Sequence, residues 1–207
     1  MFIPKVNMET DSYLSIEKPS EGLFKDKGSR FLSFAYPVES EKEINSILES
    51  KRKNYHDARH HCYSWRLGAD MDQFRTNDDG EPANSAGKPI LGQIQSFQLT
   101  NVLIIVVRYF GGTLLGVGGL MQAYKQASMD AIKNAIIIKK FIYVNYDLRF
   151  KYEDMNLVMK VLKEMNLEQW DQIFEIDCKL KLKVRKSEEK QFLESFHLSK
   201  TIKPNVL

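Results

Sequence analysis

The chain has only two cysteines in 207 residues, Cys62 and Cys178, far apart and without repeated spacing. This excludes a disulfide framework and a zinc pattern, and it fits a reducing compartment. No apolar run approaches the roughly 18–20 residues of a membrane span; the longest, VLIIVV from Val102, is strand-sized. The opening residues, MFIPKVNMETDSYL, lack the basic start and apolar stretch of a secretory signal. There is no internal repeat and no low-complexity tract. Charge of one sign is also scarce, with 30 Lys and Arg against 27 Asp and Glu, a formal net charge of +3. The small excess falls after residue 138 and does not by itself announce nucleic-acid binding. What remains is a soluble, cytoplasmic protein with no membrane partner. It is long enough to build a core without a metal or a disulfide.

The patterning predicts an α+β chain in two domains, residues 1–138 and 139–207. In the first, SYLSIEK (12–18), EGLFKDKG (21–28) and RFLSFAYPV (30–38) read as strands, with a turn at Gly28-Ser29. Ser40 and Glu43 form a capping box that opens a helix of about 12–15 residues, with Ile44, Ile47 and Leu48 on its apolar side. HCYSWRLG (61–68) is a strand. Residues 69–88 form a long polar loop, of the kind that is functional or mobile in a compact domain. A helix spans 89–99, with Pro89 in its first turn. NVLIIVV (101–107), apolar on both faces, is a buried central strand. Leu120, Tyr124, Ala127, Ala131 and Ala135 recur at helical spacing over 117–135. The C-terminal part offers a strand at 141–150, a helix at 152–166 and the strands QIFEID and CKLKLKVRK. A helix capped by Ser187 and carrying Phe192 and Phe196 follows. That is a ferredoxin-like β-α-β-β-α order, with TIKPNV as a candidate last strand.

Five of the eleven glycines, Gly111, Gly112, Gly116, Gly118 and Gly119, fall between residues 111 and 119. Neither nucleotide fingerprint fits. A Walker loop would need Gly-Lys-Ser/Thr where Gly116 is followed by Val117, and a dinucleotide motif from Gly116 would need glycine at Met121. A strand, a glycine-rich turn and a helix start remain. Such a corner can offer N–H groups and a positive dipole end to an anion, with Arg108 adding a bidentate contact. Equally, the glycines can let the turn pass close to a neighbouring element while Arg108 pairs with Asp78, Asp79 or Glu81. Those three acids could bind a divalent cation or do acid/base work, but NDDGEPANSAGKP (77–89) is also ordinary turn chemistry without EF-hand spacing.

In an extended 60–66 segment, His60, Cys62 and Ser64 share one face while His61, Tyr63 and Trp65 share the other. His60 and Cys62 could meet a ligand or metal, or act as base and nucleophile, although no complete catalytic set is visible. Arg59, His60 and His61 read as polar recognition residues. In CKLKLKVRK (178–186), Lys179, Lys181, Lys183 and Arg185 share a face. They could follow a phosphate backbone or form a solvated edge.

HHCYSWRLG, DDGEPANSAGKPIL and VVRYFGGTLLGVGGLMQAY, in that order and with SRFLSFAYPV ahead of them, resemble the YigZ/IMPACT family in its bacterial two-domain form, over roughly residues 12–130. The resemblance implies a first domain of the ribosomal protein S5 domain 2-like kind, a small ferredoxin-like C-terminal domain, and a layout reminiscent of the last two domains of translocation elongation factor G. It also implies a link to translational control, because eukaryotic relatives act through a partner of an initiation-factor kinase. Carried over by position, the family surface would begin with His61, Tyr63, Asp78, Asp79, Gly80, Glu81, Pro82, Gly87 and Lys88. It would continue through Arg108, Tyr109, Gly111, Gly112, Gly116, Gly118, Gly119 and Tyr124. Two departures stand out. Asn84-Ser85-Ala86-Gly87 replaces a common Gly-Thr-Ala-Gly, and Gln122 replaces a frequent arginine that could touch phosphate. The expected function is an RNA- or ribosome-associated regulator of translation, without catalysis or cofactor. Two alternatives stand beside it: a protein-interaction module in translational control or stress response, and a metal-dependent hydrolase or phosphate-handling enzyme built on the acidic loop and the histidine cluster.

Overall fold

A computed structural model describes residues 11–207. It divides into two compact units, residues 13–140 and residues 11–12 with 141–207. The first part of the chain runs through β1 (Ser12–Ile16), β2 (Ser20–Asp26), β3 (Ser29–Pro37), α1 (Glu41–Asn54), β4 (His60–Leu67) and β5 (Gln73–Asn77). It continues with α2 (Gly87–Ser96), β6 (Val102–Tyr109), α3 (Gly116–Lys133) and β7 (Ile137–Phe141). Five strands make one sheet in the order β2-β3-β6-β4-β5, each neighbouring pair antiparallel. β1 and β7 pair as a separate ribbon.

The all-apolar run in β6 follows from its place at the centre of this sheet. Val102, Ile104 and Val106 enter the core shared with α2 and α3. Leu103, Ile105 and Val107 enter the opposite core, where α1 lays Ile44 and Leu48. A strand covered on both faces has no polar side, so period-2 alternation disappears. The expected capping box forms with a variation. Ser40 Oγ accepts from the Glu43 N–H at 3.3 Å, but the Glu43 carboxylate accepts from the N–H of Glu39 rather than that of Ser40. Two expectations need correction here. The polar loop contains β5, an edge strand paired to β4 and largely exposed. The segment read as a boundary contains β7.

In the C-terminal unit β8 (Tyr143–Lys151), α4 (Met155–Glu164), β9 (Gln169–Ile173), β10 (Asp177–Arg185), α5 (Glu189–Glu194) and β11 (Lys203–Val206) form a β-α-β-β-α-β succession. The sheet order is β11-β8-β10-β9. Alternate β10 residues Cys178, Leu180, Leu182 and Val184 are buried together with Phe192 and Phe196. Ser187 does not cap α5. It lies in a 3₁₀ turn (Lys186–Glu188), where its N–H donates to Asp11 Oδ2 at 3.1 Å. Among the described residues no helix is long and apolar enough to cross a membrane.

Candidate functional site

Strand parity sends Arg108, the continuation of Val102, Ile104 and Val106, to the α2/α3 side of the sheet, where it is 6% exposed. Its guanidinium lies 5.5 Å from the Phe31 ring and 5.6 Å from the Phe110 ring. Nη1 donates to Glu81 Oε1 at 2.7 Å, and the Tyr124 hydroxyl donates to the same oxygen at 2.8 Å. Cys62 Sγ lies 3.3 Å from that hydroxyl and 3.0 Å from the Asp78 carbonyl oxygen. The sequence leaves Arg108 free to hold an external anion or to pair with one of three acids; its partner is Glu81.

A turn places that acid. Asp79 and Gly80 both adopt left-handed backbone, φ 41° and 87°, and the Glu81 N–H closes on the Asp78 carbonyl at 2.9 Å. The second of these two central positions favours glycine for this reason. The remaining carboxylates are occupied. Asp78 accepts the backbone N–H groups of Asn84, Ala86 and Gly87 at 2.8–2.9 Å, and so caps α2, whose own N-cap residue Ala86 offers no side-chain acceptor. Asp79 accepts from Arg52 Nη2 at 2.9 Å and from the His61 N–H at 2.7 Å. Among the described residues no three His, Cys, Asp or Glu side chains are grouped to hold a metal.

The electrostatics match a sealed interior. Burial pushes the Cys62 thiol well up, Tyr124 opposing and Glu81 adding to the rise. Burial also raises the Tyr124 phenol, helped by Cys62 and Glu81. A thiol held this way is a poor nucleophile. His60 Nδ1 sits 2.9 Å from the Asp79 carbonyl oxygen, which ties the ring to the turn. Burial lowers the His61 pKa, with Arg52 assisting and Asp79 opposing. Tyr63 is buried on the α1 side.

Among the glycines, Gly111 has a steric reason. A Cβ there would stand 1.9 Å from the Gly28 carbonyl carbon, and its N–H donates to Ser29 Oγ at 3.1 Å. The turn therefore passes hard against the β2–β3 hairpin. Gly112, Gly116 and Gly119 complete the corner into α3, whose first turn carries no side-chain cap and no acid. The remaining candidates divide between two surfaces. Arg59, His60, Arg108 and Tyr109 line a cleft with Asp57, Phe110 and Leu114, where the Tyr109 hydroxyl donates to Asp57 at 2.7 Å. Lys88 and Gly118 instead line a groove between α2 and α3, together with Gly92, Gln93, Met121 and Lys125. Sequence reasoning misses Gln93; its only signal is an amide set among Ile90, Leu91 and Ile94 on the apolar side of α2.

The lysine strand belongs to the C-terminal unit, and most of its cations have partners there. Lys181 meets Asp171 at 2.8 Å and Lys183 meets Glu168 at 2.5 Å. Arg185 donates to the buried Asp11 carboxylate at 2.7 and 3.0 Å and stacks over Phe141. Lys179 is exposed.

The Impact N-terminal domain model matches residues 27–132, half of the chain. The chain is 34% identical to the IMPACT family member YigZ of Escherichia coli over 154 residues, covering 73% of this chain and 76% of that protein. The chain belongs to the IMPACT family. A Thermus thermophilus IMPACT family member is 36% identical over 140 residues, covering 68% of this chain and 75% of its own length. A crystal structure of a hypothetical protein superposes with a TM-score of 0.72 at 28% identity, covering 96% of this chain and 98% of the other. A looser match, with a TM-score of 0.35 and 24% identity over 65% of this chain and 51% of the other, is to the two-domain translational regulator Yih1. The IMPACT match contains the Glu81 hub, the cleft and the α2/α3 groove, and it ends before the lysine strand.

Proposed function

We propose that this IMPACT-family chain is a non-catalytic, protein-binding module of translational control, with an S5 domain 2-like first domain and a ferredoxin-like C-terminal domain. One observation carries the reading. Between residues 110 and 121 the signature turn and the start of α3 hold Phe110, Leu114, Val117 and Met121 in solvent, at 54%, 84%, 52% and 45% exposure. The charged residues of the same signature, Arg108 and Glu81, are turned inward and paired. Exposed large apolar side chains concentrated in one segment fit a protein interface better than a phosphate track, which needs unpaired cations. Family membership supplies the link to translation set out with the resemblance.

Capture from nuclease-treated cell extract tests the reading. Translation proteins should be retained by the parent and lost with Leu114→Asp combined with Val117→Asp, with an altered polysome profile in cells carrying that variant. Retention that needs intact RNA and falls steeply with salt would contradict it and restore direct RNA association.

A further inference from the structure

The groove between α2 and α3 contains three features that the fold itself does not use. Gly92 on α2 and Gly118 on α3 both sit inside helices, neither has positive φ, and a Cβ on either would meet open space. Glycine is a poor helix former, and no close approach within the described residues accounts for either one. Between them lies Gln93, 7% exposed, lining the groove with a side-chain amide that makes no hydrogen bond among the described residues. That amide opens onto the groove, where an occupant's polar groups can replace the water that otherwise solvates it.

We infer that this groove is a binding site for an acidic, amphipathic peptide segment of a partner protein. The inference rests on the protein-binding reading above and names the partner's chemistry. Lys88 and Lys125 stand on the groove and no carboxylate lines it, which selects a negatively charged occupant. Met121 gives the α3 side an exposed apolar contact, which selects an apolar face beside that charge. The Gln93 amide both donates and accepts, as a peptide group does, whereas a phosphate oxygen only accepts. Gly92 and Gly118 leave the floor low enough for a backbone or a bulky side chain to seat. An apolar face on the floor with acidic residues at the lysines is the helix-in-groove mode of recognition.

The test uses the full chain and fluorescence anisotropy with four labelled probes. These are an acidic amphipathic peptide of Leu and Glu at helical spacing, the same composition scrambled, a basic amphipathic counterpart of Leu and Lys, and oligo-uridine RNA. The acidic amphipathic peptide should bind at least ten-fold more tightly than the other three. Gly118→Leu should weaken it ten-fold or more while the thermal midpoint stays at or above the parent's, because a Cβ at 118 meets open space and leucine is the better helix former. Gln93→Leu should weaken it as well, and Lys88→Glu with Lys125→Glu should move the preference toward the basic peptide. Equal binding of all three peptides, tightest binding of the RNA, or a Gly118→Leu protein that binds like the parent would overturn the inference. Failure here can be told from failure of the protein-binding reading. If nuclease-resistant capture persists unchanged in Gly118→Leu, only the groove falls; if capture itself requires RNA, the broader reading falls.

Discussion

The acidic loop of the N-terminal unit and the lysine strand of the C-terminal unit are both clusters of charge, but the Arg108–Glu81 pair of the one and the Lys181–Asp171 pair of the other sit in opposite settings. The Arg108 and Glu81 side chains are 7% and 4% exposed and share a hub with Tyr124. Those of Lys181 and Asp171 are 39% and 60% exposed. A pair in water gains little, because solvent screens it and two long side chains lose freedom. Breaking a buried pair leaves an uncompensated charge where solvation is absent. A cation–carboxylate pair therefore makes the fold sensitive to the loss of one partner in the first case and leaves it indifferent in the second.

The largest break in this contrast is expected from Glu81→Ala. It strands the Arg108 guanidinium and the Tyr124 hydroxyl and should cost about 3–5 kcal/mol. Urea unfolding followed by Trp65 fluorescence, in a Trp170→Phe background, isolates the N-terminal unit. Adding Arg108→Met should recover much of the loss, since the charge is then no longer buried alone. Next comes Asp78→Ala, which removes the acceptor for three backbone N–H groups at the start of α2. A loss of about 2 kcal/mol is expected in the same assay.

Acid should separate the two units. His61 titrates below its ordinary 6.5 in the fold, so the unfolded chain takes up the proton first. The stability this residue contributes is present above pH about 6.5 and is lost as pH falls below it. His61→Gln should flatten that region of a stability–pH curve. In the C-terminal unit burial pushes the Asp11 carboxyl up, but hydrogen bonds from Arg185 and Ser187 outweigh it and bring the pKa from 3.8 to about 2. Its contribution is complete above pH about 4 and disappears as pH falls toward 2, and Asp11→Asn should remove the slope there. Smaller still, Gly118→Ala should stabilise the chain by about 0.5–1 kcal/mol, measurable as a raised urea midpoint. Lys181→Ala should leave the midpoint of the C-terminal unit unmoved within error.

The residues differ in how much of this could be read without a structure. Ser40 and Glu43 announce a helix start because a cap is a local device. The apolar run at 102–107 announces a central strand because burial on both faces leaves a local trace. β5 escaped because Gln73–Asn77 is a polar edge strand paired on one side only, with no apolar period to detect. The resemblance marked Arg108, Glu81 and Tyr124 together, but their hub joins residues 27 and 43 positions apart, and spacing alone does not say which of three acids turns inward. The sheet register, with His60 opposite Arg108, and the left-handed turn at Asp79-Gly80 decide that. The groove leaves the least trace in the sequence, because two helical glycines and a glutamine acquire meaning only when α2 and α3 lie side by side.

Hydrogen exchange of the full chain, with and without the protein it retains after nuclease treatment, tests the central claim most directly. Added protection is expected at 83–93 and 110–125, with the amides of 177–185 unchanged. Protection confined to 177–185, with α2 and the start of α3 exchanging as in the free chain, would contradict it.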